Sequence, residues 1–335
     1  MKRTNNAVRG IFLTAVLLIS LYLGLRYGTT HLSLRELIGA LLGHDGYATQ
    51  SVILYSVRLP RVLAAIVAGT GLSLSGVLLQ SVTDNALAAP NVIGVNAGAG
   101  LGIVLLLFFA PAAYEWSASV AMLGAVIATL AIVGLSTRAG SRASLILAGV
   151  ATSTLLGALI SCFTYADADL LSSYSAFSVG GFAGVTADEL TLPAIAIALC
   201  LVISLCLGDR VDLLCLGDPA ARTLGVRVRG LRLVAVLCAG ISAASAVSFA
   251  GLLGFVGLIV PHIARRLFGN RTRPLVLASA ALGSAVCTLA DLLGRVAAAP
   301  SEIPVGIVMS LVGAPFFLWL LLRRDRTHPK GGDEI

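Results

Sequence analysis

The stretch RLPRVLAAIVAGTGLSLSGVLLQ, residues 58–80, decides the fold class. After its second arginine the chain carries no charged side chain from Val62 to Thr83. An apolar run of about 20 residues is long enough for an α-helix to cross the hydrocarbon core of a bilayer. The stretch therefore predicts a transmembrane helix, and it places two permanent charges, Arg58 and Arg61, where that helix begins.

Comparable apolar runs recur along the whole chain. Of the 335 residues, 58% are hydrophobic and 12% are charged, which is about half the charged fraction of a typical soluble domain. The N-terminal run has no small-residue cleavage site behind it, so we interpret it as a first span rather than a signal peptide. The sequence predicts an all-α, polytopic transmembrane bundle that forms a single domain over residues 1–335. Clear spans are predicted near 9–27, 62–82, 92–110, 117–137, 143–165, 190–208, 274–294 and 304–322.

The number of crossings within residues 233–264 follows from the charges on either side. This run is too long for one upright span and short for two. Arginines crowd both of its flanks, and strongly basic flanks belong on the cytoplasmic side. We therefore expect two short spans that turn near 248–254, which gives about ten spans with both termini cytoplasmic. Eighteen of the 23 basic residues then lie in the cytoplasm and five lie outside: Arg26, Arg35, Arg58, Arg61 and Arg295.

Motifs for covalent chemistry and for ATP binding are absent from the sequence. The two lysines, Lys2 and Lys330, lie outside any GxxxxGK[ST] pattern, and there is no HExxH or GxSxG. The six cysteines are scattered without a CxxC pair, which is typical of small buried hydrophobic residues. We expect no catalytic residue, no metal site and no cofactor bound by this chain. The net charge of +7 is explained by the positive-inside pattern, so a lipid bilayer rather than nucleic acid is the expected partner.

Acidic residues are almost absent from the predicted spans, and Asp291 comes nearest to an intramembrane charge. Carriers driven by a proton or sodium gradient usually keep buried carboxylates for coupling. The scarcity of such groups favours another energy source, with an ion-coupled secondary transporter as the alternative class.

The basic cytoplasmic loop, residues 209–232, contains the signal of a short helix. Asp218 is predicted to cap it, Pro219 suits its first turn, and Gly225 suits the left-handed residue that ends it. Two interpretations are open for this compact, amphipathic element. It is either a basic loop that faces lipid headgroups or a docking helix for a cytosolic partner.

Several blocks of the chain, in their order and spacing, resemble one known family. The blocks are RLPRVLAAIVAGTGLSLSGVLLQ (58–80), NALAAPNVIGVNAGAGLG (85–102), LILAGVATS (145–153), VGGFAG (179–184), LGDPAARTLGVRV (216–228), GLLGFVGLIVPHIARRLFG (251–269), ADLLGR (290–295) and EIPVGIVMSLVGAPFFLWLL (302–321). Over roughly residues 10–324 the chain resembles the FecCD/cobalamin-type permeases. These are the membrane subunits of type II ATP-binding cassette (ABC) importers for ferric siderophores, haem and vitamin B12.

The resemblance implies an inner-membrane permease that works with partners. These are a second permease, identical or a sister subunit, two cytosolic ABC ATPases that bind ATP and Mg²⁺, and an extracytoplasmic substrate-binding protein. It implies a ferric siderophore as cargo, with haem or cobalamin as alternatives within the family. Alternating access would be driven by ATP hydrolysis in the partner subunits.

The resemblance also implies roles for individual residues. Arg58, Arg61 and Arg295 would meet acidic residues of the binding protein, because guanidinium groups bind carboxylates bidentately. The alternatives are contacts with anionic headgroups or helix ends, and for Arg295 an i, i+4 pair with Asp291. The element that couples to the ATPase would comprise Asp218, Pro219, Ala220, Ala221, Leu224, Gly225 and Arg227.

A gate and a pathway are implied less completely. The set is Asn85, Leu87, Asn96, Ser141, Arg142, Thr152 and Ser153. The chain departs from the family pattern twice, with NALA at 85–88 where NPLA is usual, and with Arg142 where small hydroxylated residues are common. Both departures concern the gate.

Overall fold

The computed structural model of the protein describes residues 2–28, 30–44, 46–139 and 142–325. These residues form helices joined by short turns. A π-helical segment, Ile53–Arg58, leads into the fourth helix, and 3₁₀ turns lie at Pro90–Ile93 and Pro111–Trp116. The α-helices are α1 (Lys2–Arg26), α2 (Leu34–Leu41), α3 (Ala48–Val52), α4 (Leu59–Thr83), α5 (Val95–Phe109), α6 (Ser117–Ala139), α7 (Arg142–Ala166), α8 (Ala168–Val179), α9 (Ala187–Leu214), α10 (Asp218–Thr223), α11 (Val228–Ala250), α12 (Val256–Phe268), α13 (Thr272–Ala297) and α14 (Val305–Asp325).

Apolar helices account for the predicted spans. Within the described residues, 7 helices are long and apolar enough to cross a membrane, and they include a continuous helical stretch from Ala48 to Thr83. Two shorter apolar helices, Val95–Phe109 and Val305–Trp319, match the spans predicted near 92–110 and 304–322. The prediction of an all-α, polytopic transmembrane bundle is confirmed.

The run 233–264 folds as two helices separated by a short break, in which Gly251 and Leu253 are buried and the other residues are half-buried. α11 ends at Ala250 and α12 begins at Val256, so the break falls where the turn was predicted. Gln80 Nε2 of α4 donates to the carbonyl of Gly257 over 3.2 Å, which places the beginning of α12 inside the bundle. At 13 residues, α12 is about 20 Å long and cannot cross the hydrocarbon core alone. Irregular backbone at this depth is tolerated because the surrounding helices bury it.

Contacts between distant helices separate two ends of the bundle. At one end the Arg9 guanidinium donates to the carbonyl of Leu267 over 2.5 Å, and Arg273 pairs with Asp209 over 2.8 Å. At the other end Arg295 donates to the carbonyl of Tyr27 over 3.1 Å. According to the charge count, the first end is cytoplasmic and the second is outer. Both α1 and α13 contribute a residue at each end, so each of them runs the full length of the bundle.

α4 lies at the centre of the bundle, and α7 lies at its edge. In the most apolar 18-residue stretch of each helix, 78% of the residues are buried in the helical stretch that contains α4, against 11% in α7. α4 approaches α13 so closely that a methyl group added at Gly69 would lie 2.3 Å from the carbonyl oxygen of Gly283. Ser284 reinforces this crossing by donating to the carbonyl of Ile66 over 3.1 Å. Small residues at the contact thus let two backbones meet.

Two short helices on the outer side were not predicted. α2 begins with a capping box, in which the amide of Ser33 donates to the Glu36 carboxylate over 2.7 Å and the amide of Glu36 donates to Ser33 Oγ over 3.2 Å. Hydrogen bonds from Ser33 lower the pKa of the Glu36 carboxyl. α8 is capped by Asp167, whose carboxylate accepts the amide of Asp169 over 2.9 Å. Both helices are shorter than the apolar run of about 20 residues by which spans are recognised in a sequence, so the search for spans did not predict them.

Candidate functional site

A cluster of charged side chains lies at the outer end of α4 and α13. Arg61 Nε donates to both carboxylate oxygens of Asp291, over 2.9 and 3.1 Å. Its Nη1 donates to Glu302 Oε2 over 2.7 Å. The side chain of Asp291 is 1% exposed and that of Arg61 is 9% exposed, whereas that of Glu302 is 34% exposed. Arg61 therefore joins a fully buried carboxylate to one that water reaches.

Arg295 completes the arrangement around Asp291. Its Nε lies 3.0 Å from Asp291 Oδ2, an ion pair that lacks the alignment of a hydrogen bond. Its terminal nitrogens donate to the backbone carbonyls of Tyr27, over 3.1 Å, and Gly24, over 3.2 Å. The i, i+4 pair considered from the sequence is thus present, and the same side chain binds the outer end of α1.

Arg58 is held at the end of α1 by backbone carbonyls and by the side chain of Thr30. Its Nη1 donates to the carbonyls of Leu25 and Arg26, over 2.6 and 2.7 Å, and its Nη2 donates to the carbonyl and hydroxyl of Thr30. The residue is 3% exposed. A contact with a helix end was one alternative that the sequence left open for Arg58, and the structure contains it. The contact is favourable because the last carbonyls of a helix carry the negative end of its dipole.

We call Arg58, Arg61, Asp291, Arg295 and Glu302 the arginine cluster. The cluster contains three guanidinium groups and two carboxylates, so one positive charge is left over, and the carboxylates pair with Arg61 and Arg295. The docking role of the three arginines stays a prediction, and the structure adds that each of them is buried and already bonded within the chain. Sequence reasoning missed the participation of Glu302, for which the only signal was an acidic residue in an outer loop that holds few charges.

A cavity of about 510 Å³ opens beside the arginine cluster. Arg61 and Glu302 form part of its wall, together with the segment 180–185 and the end of α11 at 248–251. Hydrogen bonds fix this wall. The amide of Gly181 donates to the carbonyl of Ala250 over 2.8 Å, and the amide of Gly306 donates to the carbonyl of Gly180 over 3.2 Å. The cavity is therefore bounded in part by the end of α11, by the segment 180–185 and by the first residues of α14.

The predicted coupling element folds as α10 and its flanks. The prediction that Asp218 caps the helix is wrong, because Gly217 is the N-cap and Asp218 is the first helical residue. Its carboxylate is turned instead to Arg232, 2.8 Å away. Gly225 ends the helix as predicted, with a left-handed φ of 80° and its amide donating to the carbonyl of Arg222 over 3.0 Å.

The faces of α10 differ in burial. Ala221 is fully buried, while Leu224 is 58% exposed and the preceding Leu216 is 61% exposed. Pro219, Gly225 and Arg227 are exposed and Ala220 is half-buried. Exposed leucines beside exposed arginines give this end of the protein an amphipathic surface.

Hydrogen bonds tie the end of α9, the helix that precedes α10, to α13. Asp212 of α9 accepts the amide and the hydroxyl of Thr272, over 2.8 and 2.5 Å. Arg273 donates to the carbonyl of Leu205 over 3.0 Å. One rigid helix, α13, therefore connects the neighbourhood of α10 at the cytoplasmic end with Asp291 and Arg295 at the outer end.

The predicted gate and pathway residues are only partly described. Asn85 Oδ1 accepts the amide of Leu87 over 2.9 Å, so the NALA turn closes without a proline. Leu87 borders a small cleft against His262 of α12 and Phe316 of α14. Ser141 and the side chain of Arg142 lie outside the described residues.

The remaining pathway candidates lie on α5 and α7. Asn96, Thr152 and Ser153 are all half-buried. Ser153 Oγ would lie 3.6 Å from a methyl group placed on Gly94, at the beginning of α5, and it has no hydrogen-bond partner within the described parts of the chain. Their role in a pathway stays a prediction.

Comparison with known proteins now adds the family. The model of the FecCD transport family matches residues 16–323. This chain belongs to the FecCD transport family. It is 34% identical to the iron(3+)-hydroxamate import system permease protein FhuG of Bacillus subtilis (strain 168), over 95% of this chain and 96% of that protein. It is 36% identical to the vitamin B12 import system permease protein BtuC of Vibrio cholerae serotype O1, over 81% of this chain and 83% of that protein.

A solved structure agrees with this FecCD assignment. A putative metal-chelate type ABC transporter in an inward-facing conformation superposes with a TM-score of 0.82 at 32% identity, over 93% of this chain and 98% of that one. This FecCD protein is thus a multi-pass permease subunit of an ABC importer, located in the inner membrane.

Proposed function

We propose that this FecCD protein carries a ferric siderophore across the inner membrane as the permease of a type II ABC importer. The observation that carries the proposal is the placement of two surfaces at opposite ends of one bundle. A cavity bordered by Arg61 and Glu302 lies at the end that the charge count assigns to the outside, and the exposed face of α10 lies at the opposite end. A permease between a binding protein and an ATPase needs one surface at each end.

We assign ATPase coupling to the segment 218–229. The exposed leucine at 224 offers an apolar contact, and Arg222, Arg227 and Arg229 surround it with positive charge. ATP and Mg²⁺ would be bound by the partner ATPases, and this chain would add no catalytic group or cofactor. Two hydrogen bonds join α9 and α13 beside this segment, one from Thr272 to Asp212 and one from Arg273 to the carbonyl of Leu205, so a docked ATPase would act on two connected helices.

We assign the exposed face of α7 to contact with a second permease, either an identical copy or a sister subunit. α7 is the least buried of the long apolar helices. A methyl group added at Gly157 would meet no atom within 4 Å inside this chain. A glycine at such a position leaves room for the backbone of another helix to approach, as membrane helices do when they associate.

We assign the arginine cluster to the docking of the binding protein. Arg61 borders the outer cavity, and the cluster carries one more positive than negative charge. Carboxylates on an approaching partner would be steered to it by this field. Headgroup contact is the alternative, and it would require the guanidinium groups to face lipid rather than the cavity.

An iron chelate is preferred over vitamin B12 because the iron-hydroxamate relative matches almost the whole chain. The vitamin B12 relative matches a smaller share. The structural neighbour described as a metal-chelate transporter also covers almost the whole chain. Haem is the other alternative within the family.

Growth of a deletion strain tests the cargo. Without this chain, cells should fail to grow when a ferric hydroxamate is the only iron source, and they should still use haem and vitamin B12. A plasmid copy should restore growth. Normal growth on the hydroxamate, together with loss of haem or vitamin B12 use, would reassign the cargo.

A further inference from the structure

Glu302 holds a particular place within the arginine cluster. It is the only member of the cluster whose side chain is substantially exposed to water, at 34%, and it borders the outer cavity beside Arg61. It binds Nη1 of Arg61, while Asp291 binds Nε of the same guanidinium. Arg61 therefore has one carboxylate partner buried in the bundle and another at the cavity wall.

The two carboxylates differ in how readily each can be replaced. Asp291 is held between Arg61 and Arg295 and has no route to water, so its release would leave charges unpaired inside the protein. Glu302 can turn to water in the cavity, because an exposed carboxylate is well solvated without a partner. Of the two carboxylates bound to Arg61, only Glu302 can therefore be replaced by a carboxylate from another molecule.

The backbone beside Glu302 is anchored independently of this bond. The amide of Ile303 donates to the carbonyl of Gly294 over 3.0 Å, and the amide of Gly306 donates to the carbonyl of Gly180 over 3.2 Å. Release of the Glu302 side chain consequently leaves the beginning of α14 in place. The exchange requires a side-chain rotation and no unfolding of the outer loop.

We propose that Glu302 is an internal competitor, which occupies Arg61 until an acidic side chain of the extracytoplasmic partner takes its place. The proposal rests on the docking role assigned to the arginine cluster above. It makes docking an exchange of one carboxylate for another, so that the partner binds weakly enough to leave after each delivery. A released Glu302 would also place a free negative charge in the cavity wall at the moment when cargo arrives.

The variant Glu302→Gln tests this exchange in the full permease–ATPase complex in lipid nanodiscs. The probe is the soluble binding protein of the same import system, and the readout is its dissociation constant. Loss of the competing carboxylate should tighten binding by about threefold to tenfold, the scale of one net hydrogen bond. Glu115→Gln is the matched control, because it removes the same charge from the outer side at a residue outside the cluster, and it should change the constant by less than about twofold.

A chemical probe measures the exposure of Arg61 without any partner. Phenylglyoxal modifies accessible arginines, and mass spectrometry of the peptide that contains Arg61 gives the rate. Glu302→Gln should raise this rate several-fold and leave the rate at Arg227 unchanged. Gel filtration and the melting temperature confirm that the variant is folded.

The outcomes separate the competitor role from the docking role. Unchanged or weaker partner binding in folded Glu302→Gln would overturn the proposal. In the variant Arg61→Lys, which keeps the charge beside Asp291 but loses the guanidinium fork, partner binding should weaken and the gain from Glu302→Gln should vanish. Wild-type binding by Arg61→Lys would instead contradict docking at this arginine.

Discussion

Asp291 is the residue on which the outer end of the bundle depends. It lies on α13 and accepts Arg61 from α4, and Arg295, which binds the end of α1, lies one turn further along the same helix. A single buried carboxylate therefore links three helices. Its charge is compensated on both sides, which allows it to persist inside a membrane protein.

The variant Asp291→Asn should strongly destabilise the protein. Two buried guanidinium groups would lose their shared counter-charge, and breaking a buried pair in this way costs about 3–5 kcal/mol. Thermal unfolding in detergent measures the loss. Asp209→Asn is the matched control, because the side chain of Asp209 is 71% exposed in its pair with Arg273, and such surface pairs contribute about 0–1 kcal/mol. Equal melting temperatures for both variants would contradict the importance given to Asp291.

The sequence predicts single charges better than it predicts their partners. The charge count assigns Arg58, Arg61 and Arg295 to the outer side, and in the structure the three side chains lie together at one end of the bundle. The pair of Arg295 with Asp291 was foreseeable because both lie within one helical turn. The bond from Arg61 to Glu302 joins residues 241 positions apart, and no local pattern in a single sequence reports such a contact.

Among the elements, α10 is the short helix whose two sides differ most clearly in burial. Its buried side fixes it to the bundle through Ala221, while Leu224 projects outwards. The ion pair between Asp218 and Arg232 closes the element against the beginning of α11. The sequence predicted where this helix ends, since Gly225 is a clear signal, but it placed the N-cap one residue too late.

The variant Leu224→Ala should weaken attachment of the ATPase without unfolding the permease. Loss of an apolar contact at the centre of such a surface should lower the amount of ATPase that co-purifies by about tenfold or more. Quantitative gel filtration of the detergent-solubilised complex gives this amount. Leu199→Ala on α9 is the matched control, at 59% exposure on an apolar face, and it should leave the complex intact. Full retention of the ATPase by Leu224→Ala would count against α10 as the coupling element.

Packing of α4 on α13 supplies a second prediction at this scale. In Gly69→Val the new side chain would collide with the backbone of Gly283, and overpacking of this kind costs about 1–3 kcal/mol or more. The melting temperature should fall clearly. Gly230→Ala, in α11 with no atom within 4 Å of the added methyl group, should be neutral or stabilising by up to about 1 kcal/mol. A stable Gly69→Val variant would show that the two helices can separate freely.

In the whole molecule, one helix connects the two ends of the bundle. α13 has Thr272 bound to Asp212 near α10 at one end and Asp291 in the arginine cluster at the other. Composition was sufficient to predict the helical bundle, because spanning helices follow from the bilayer as solvent, whereas the orientation stays a prediction from the charge count. Composition and charge could not predict the outer cavity, which arises where the break at residues 251–255 meets α8 and the beginning of α14.

Transport by the reconstituted complex tests the central claim most directly. The permease, its ATPase and its binding protein are placed in proteoliposomes, and uptake of a radiolabelled ferric hydroxamate is followed. We predict uptake that requires ATP on the cytoplasmic face and the binding protein on the other, and that is unaffected by collapse of a proton gradient. Uptake by the permease alone, driven by a proton gradient without any ATPase, would contradict the account and favour an ion-coupled carrier.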